Sequence, residues 1–111
     1  MTTIFTKIIN RELPADIVYE YEVCLAFRDI NPVAPTHVLV IPKEPIVALG
    51  DAETNQAEVL SACLLACNEV ARLEGLEHFR VVTNSGAGAG QSVFHLHFHV
   101  IGGRPLSWPP G

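Results

Sequence analysis

Apolar residues along this chain keep two rhythms, and the changes from one to the other mark its elements. Period-two alternation places successive side chains on opposite faces of a strand, and it is strictest in His95-Leu96-His97-Phe98-His99-Val100. A strand from Val93 to Ile101 would turn Leu96, Phe98 and Val100 toward a core and line up three imidazoles on the other face. The β-branched run His37-Val38-Leu39-Val40-Ile41, closed by Pro42, predicts a central strand. Ile17 to Tyr21 and Val23 to Arg28 predict a strand pair with a tight turn near Glu22, and Phe79 to Thr83 a further strand.

The second rhythm is helical. Val59, Leu60, Cys63, Leu64, Cys67, Val70 and Ala71 recur at three- and four-residue intervals, which predicts a helix from about Ala52 to Glu74, capped by Asp51 and stopped by Gly75. Ile4, Phe5, Ile8 and Ile9 predict a shorter helix over Phe5 to Arg11, limited by Pro14. Asp29 to Pro35 and Asn84 to Gln91 are loops, and the tail from Arg104, with Pro105, Pro109 and Pro110, cannot continue a central strand. Strands before and after one long helix give an α+β class with a mainly antiparallel sheet in a single domain, 1–111.

Composition narrows the partners. The 111 residues are 49% hydrophobic, yet no run reaches the ~18 apolar residues of a membrane span. The start, Met1 to Lys7, lacks the layout of a secretory signal, so the expected location is cytoplasmic. Three cysteines, Cys24, Cys63 and Cys67, form no Cys-x-x-Cys pair and fit core thiols in a reducing compartment. The formal charge is −5, with Lys7, Arg11, Arg28, Lys43, Arg72, Arg80 and Arg104 scattered. That spread excludes a nucleic-acid polymer, which needs clustered cations, but leaves room for a mononucleotide.

The chemistry gathers near the C-terminal third. Asn84-Ser85-Gly86-Ala87-Gly88-Ala89-Gly90-Gln91-Ser92 lets backbone amides approach an anion closely, although it lacks the Gly-Lys-Ser/Thr ending and the following helix of a P-loop. Amide donors, the Asn84 carboxamide, the Ser92 hydroxyl and a row of imidazoles suit attack on phosphorus through a covalent histidine. A transition-metal site built on His-x-His is the competing chemistry, with His37 or Asp29 as distant further ligands. His78, beside Glu77, fits a solvated loop histidine.

The run His95 to Ile101 resembles the motif of the histidine triad family, His-φ-His-φ-His-φ-φ with φ apolar. Ile4 to Ile9, Leu13-Pro14-Ala15, Cys24 to Ile30, Ala34 to His37, Gly90 to Val93, Gly102-Gly103-Arg104 and Trp108 to Gly111 resemble its Hint branch, the purine nucleoside phosphoramidases. The resemblance implies a five-stranded antiparallel sheet with one long and one short helix, pairing into a ten-stranded sheet in a homodimer. It implies His97 as nucleophile, His99 and Ser92 on the phosphate and leaving group, and Asn84, Gly90 and Gln91 completing a phosphate cradle. Asp29 would hold the ribose hydroxyls, Ile4, Phe5, Ile8, Phe27 and Ile30 would wall the purine, and His37 and His95 would orient the nucleophile.

Trp108 would reach toward the partner's site and contact the leaving group. The implied ligands are AMP, GMP, their phosphoramidates and aminoacyl adenylates, with no metal or other cofactor. Dinucleoside polyphosphate hydrolases and nucleotidyl transferases share the triad, and a nucleotide-binding scaffold with weak catalysis would share the pocket. Ala89-Gly90-Gln91 stands where the branch commonly has Gly-Gly-Gln, which implies a narrowed or stiffened phosphate loop and an altered rate. The small, neutral Ser85 to Gly88 stretch is a second departure.

Overall fold

The computed structural model describes residues 2–111, so Met1 of the expected 1–111 domain lies outside the described residues. Its elements run α1 (Ile4–Ile9), β1 (Ile17–Tyr21), β2 (Cys24–Arg28), β3 (Thr36–Pro42), α2 (Ala57–Leu73), β4 (Phe79–Val82) and β5 (Phe98–Gly102). The strands form one antiparallel sheet in the order β1-β2-β3-β5-β4, which leaves β4 on an edge and β3 buried along its whole length. This is the α+β sheet with one long and one short helix that the pattern predicts.

Alternation along the strands sorts the core into two layers. Cys24, Ala26, Val38, Val40, Phe98 and Val100 face α2, where they meet Cys63, Cys67 and Val70. Leu25, Phe27, Leu39 and Ile41 face the other way and are covered by Phe5 and Ile8 of α1. Thr3 caps α1 by accepting from the Phe5 and Thr6 amides, because a hydroxyl there satisfies donors that the first turn cannot.

Three expected elements differ. The short helix ends at Ile9 and not at Arg11, which takes a positive φ of 64°. The long helix begins at Ala57, not near Ala52, and Asp51 ends a separate 3-10 turn, Leu49–Asp51. A second 3-10 turn, Thr54–Gln56, intervenes, with the Gln56 side chain accepting from the Glu53 amide at 2.8 Å. The stop is as expected: Gly75 N–H and Leu76 N–H return to the Arg72 and Ala71 carbonyls at 3.1 and 2.9 Å, closing the last turn. The fifth strand is shorter than expected, since ladder pairing covers only Phe98–Gly102. His95 and His97 therefore precede the strand, although Leu96, Phe98 and Val100 still pack into the α2 layer.

Candidate functional site

The approach to β5 is held by specific bonds in place of a ladder. Leu96 N–H donates to the Ile46 carbonyl at 2.6 Å, and Thr83 Oγ1–H donates to the His97 carbonyl at 2.8 Å. His95 is 2% exposed, so it is no part of an open imidazole row. Its Nε2–H donates to the Pro42 carbonyl at 2.7 Å, and burial, aided by nearby His97 and opposed by that carbonyl, pushes its pKa down. His95 is thus an anchor.

Its backbone carbonyl does the orienting. His97 Nδ1 lies 2.7 Å from the His95 oxygen, and a carbonyl can only accept, so the ring hydrogen of neutral His97 sits on Nδ1 and its Nε2 keeps a lone pair. Phe5 meets this ring edge-on, 5.1 Å between centroids at 88°, which restrains its rotation.

His99 has the opposite setting. Val33 N–H donates to His37 Nδ1 at 3.1 Å, which places the His37 ring hydrogen on Nε2. That nitrogen faces His99 Nδ1 at 2.9 Å, so His99 Nδ1 accepts and the hydrogen of His99 sits on Nε2. His37 orients His99, not the expected His97. Burial, with His97 and His37 adding to it and Asp29 opposing, holds the His99 pKa down at about 4. Near neutral pH it is a hydrogen-bond donor without charge.

Both rings line one cavity of about 520 Å³, with ring centroids 5.0 Å apart. The same cavity is lined by Asp29, Ser92 and all five residues expected around a purine, Ile4, Phe5, Ile8, Phe27 and Ile30. Asp29 leaves the end of β2 with its N–H on the His37 carbonyl at 2.9 Å, and its Oδ1 accepts from Asn31 N–H at 2.8 Å. Its Oδ2 lies 3.3 Å from His37 Nε2, and each carboxylate oxygen keeps a lone pair for a further donor. An apolar slot ending in a carboxylate, a lone-pair nitrogen and an N–H donor can take a nucleotide-sized ligand and attack its phosphorus.

The glycine-rich loop departs from expectation at two positions. Gln91 is 4% exposed and its amide is spent inside the loop, accepting from Gly86 N–H at 2.8 Å and donating to the Val47 and Val93 carbonyls at 2.7 and 3.0 Å. Its side chain shapes the cradle and does not face the cavity. Ala89 lies in a 3-10 turn, Ala87–Ala89, and has no positive φ; the loop residues that do are Gly86, at φ 96°, and Gly90, at φ 100° against the Asn84 side chain. The Ala89 methyl therefore brings none of the backbone restriction expected of it.

Asn84 is half-buried on that loop. Trp108 is 80% exposed and lines no part of the cavity. His78 is exposed, as expected of a loop histidine, and burial pushes the Cys63 and Cys67 thiols up to about 12, which makes them inert. Val33, whose N–H meets His37, is the position of the site that pattern reading missed. Its signal is the Pro32-Val33-Ala34-Pro35 sequence, where two prolines leave few amides free to donate.

Donor atoms of Asp29, His37 and His99 lie within 4.8 Å of one another, a spacing open to a metal ion. The protonation pattern does not fit one. A metal needs the His37 Nε2 lone pair, and the Val33 N–H on Nδ1 forces the ring hydrogen onto Nε2.

Comparison with known proteins follows the same outline. Residues 10–106 match the model of the HIT domain. An uncharacterized HIT-like protein of Synechocystis sp. is 56% identical over 110 residues, covering 98% of this chain and 96% of its own length. A 14 kDa zinc-binding protein of Zea mays is 52% identical over 112 residues, covering 98% and 88% respectively. The crystal structure of a HIT family hydrolase from Legionella pneumophila superposes with a TM-score of 0.96 at 44% identity, covering 99% of this chain and all of that one.

Proposed function

This chain belongs to the HIT domain family, and from that premise we propose that it is a purine nucleoside phosphoramidase. The observation that carries the reading is the opposed setting of two neighbouring rings in one cavity: His97 offers a lone pair and His99 an N–H. His97 Nε2 attacks the phosphorus of a nucleoside 5′-phosphoramidate whose bridging nitrogen has taken a proton from solvent. The P–N bond breaks and its electron pair leaves with the neutral amine. The His95 carbonyl, on Nδ1–H, stabilises the positive charge that the ring gains as it bonds to phosphorus. His99 Nε2–H and the Ser92 hydroxyl donate to the phosphoryl oxygens, with the loop amides near Gly90. Water then attacks phosphorus, the P–N bond to His97 breaks, one proton passes to solvent, and the monophosphate is released.

Asp29 accepts from the ribose hydroxyls, and the apolar wall formed by Ile4, Phe5, Ile8, Phe27 and Ile30 receives the purine of AMP, GMP or an aminoacyl adenylate. Two copies pair through β4 into a ten-stranded sheet. Phe79 and Val81 on that edge are each 37% exposed, and an open edge with apolar side chains favours a partner strand. Arg80 of β4 donates to the Ser107 carbonyl at 2.8 Å, which ties the tail, and Trp108 with it, to the same edge. Trp108 then shapes the leaving-group side of the partner's cavity. Three free, buried cysteines suit the cytoplasm.

The maize relative is named as zinc-binding, but the reaction proposed here uses no metal, in keeping with the hydrogen on His37 Nε2. Adenosine 5′-phosphoramidate, supplied with and without a chelator, tests the reading by AMP release and intact protein mass. AMP forms equally in both arms, and a single-turnover nucleotidyl adduct appears that His97→Ala lacks. Turnover of dinucleoside polyphosphates alone, a requirement for added metal, or adduct on His97→Ala would each overturn it.

A further inference from the structure

We infer that Arg104, an exposed residue outside the cavity, is a positioning residue that sets the tautomer of His99 through the Val33 backbone and His37. Arg104 Nε and Nη2 both donate to the Val33 carbonyl, at 3.1 and 2.9 Å, and Nη1 donates to the Pro105 carbonyl at 3.0 Å. Two bonds to one oxygen fix its direction as a single bond cannot. Val33 sits between Pro32 and Ala34-Pro35, where the ring-locked φ angles of the prolines leave the loop little freedom. Holding the Val33 carbonyl therefore also aims the Val33 N–H, which is the donor that selects the His37 tautomer at 3.1 Å.

The backbone beside Arg104 is adapted to this contact. Gly103 has φ 93°, and a Cβ there would stand 2.9 Å from Pro35 Cβ. Only glycine lets the strand end approach the loop closely enough for the guanidinium to grip it. The consequence runs inward by strict alternation of donors and acceptors. With Val33 N–H in place, His37 Nε2–H donates to His99 Nδ1 and the hydrogen of His99 rests on Nε2. Without it, only the longer contact from His37 Nε2 to Asp29 Oδ2, 3.3 Å, still favours the hydrogen on Nε2; the share of His37 that moves it to Nδ1 turns a lone pair toward His99, whose hydrogen then moves to Nδ1. His99 Nε2 would then present a lone pair to phosphoryl oxygens, replacing attraction by repulsion.

The functional side of this inference rests on His99 acting as a donor to the phosphoryl group; the tautomer side does not. Long-range 1H–15N correlation on protein labelled with 15N-histidine, recorded near pH 7.5, reports each ring separately. The unmodified protein shows the Nε2–H form at His37 and His99 and the Nδ1–H form at His97. Arg104→Met, which keeps the aliphatic length and removes the donors, shifts His37 and His99 to mixed forms and leaves His97 unchanged. With adenosine 5′-phosphoramidate, kcat falls about tenfold or more with little change in KM, and Arg104→Lys, which retains a single donor nitrogen, recovers part of both signals. Unchanged tautomers at His37 and His99 in a folded Arg104→Met, or an Nδ1–H form of His99 in the unmodified protein, would overturn the inference. If Arg104→Met does not fold, Arg104→Lys decides, since it must show an intermediate tautomer ratio. Loss of phosphoramidase activity in every protein, with the tautomer shift intact, overturns the enzyme reading and leaves the positioning role standing.

Discussion

Acidification from pH 7 to pH 4 should cost the protein about 3 kcal/mol of stability through His99 alone. Burial holds this ring at about 4 in the folded chain, against an ordinary value of 6.5 when unfolded. Between those values the unfolded chain binds a proton that the folded chain refuses, so stability is full above pH 6.5 and declines as pH falls toward 4. At about 1.4 kcal/mol per pH unit the loss is about 2 kcal/mol by pH 5 and about 3 by pH 4, below which it levels off. His95, depressed by its own burial, adds in the same direction. Glu20 and Glu69, held low by Lys43 and Arg72, act mainly below their ordinary 4.5. Urea unfolding of the unmodified protein and of His99→Gln, at pH 7, 6 and 5, isolates the ring. The gap between the two should narrow by about 2 kcal/mol from pH 7 to pH 5, whatever its size at neutral pH. A gap that stays constant would refute the neutral, desolvated state of His99.

Three further outcomes are expected. Replacing the ribose by 2′-deoxyribose should lower kcat/KM by about 1 to 3 kcal/mol, because Asp29 loses a donor, and Asp29→Asn should shrink that preference; equal specificity constants for both sugars in the unmodified protein would remove Asp29 from this role. Gln91→Ala should destabilise the fold by about 2 to 3 kcal/mol in urea titration, since it strands the Gly86 N–H and the Val47 and Val93 carbonyls; a loss under about 0.5 kcal/mol would show that the loop does not depend on it. Trp108→Ala should leave a dimer by sedimentation and change specificity constants more for bulky amine leaving groups than for small ones, whereas uniform effects would detach Trp108 from selectivity.

Much of the sheet was legible because its faces differ: Val38 and Val40 against Leu39 and Ile41 declare a strand buried on both sides. The side-chain alternation of His95 to His99 was legible too, even where no ladder forms. That segment leaves a bend at His95 and is held where Leu96 and His95 are tied to Ile46 and Pro42, and a pattern of burial does not distinguish such ties from strand pairing. The start of the long helix was misplaced for a local reason. Asp51 is an acceptable cap in isolation, but the apolar period starts only at Val59, and the Glu53 and Gln56 side chains close a tight turn between them. Gln91 has the composition of a ligand contact and the environment of a buried brace; only the fold reveals which of its partners it meets.

The pairing of His37 with His99 was the least legible feature, and its cause bears on how the two central rings differ. His97 is set by a carbonyl two residues back, so any chain that keeps this local backbone keeps its lone pair on Nε2. His99 is set by a ring 62 positions away, and their meeting depends on the register in which Leu39 lies opposite His99 and His37 opposite Ile101. A one-residue slip of β5 on β3 would send His99 to the α2 face, since strand side chains alternate. Disturbance of the β3–β5 ladder, or of the Val33 loop beyond it, therefore reaches the His99 N–H before it reaches the His97 lone pair. In the proposed reaction the attacking group would be built into the motif itself, and the group that steadies the phosphate would be built into the fold.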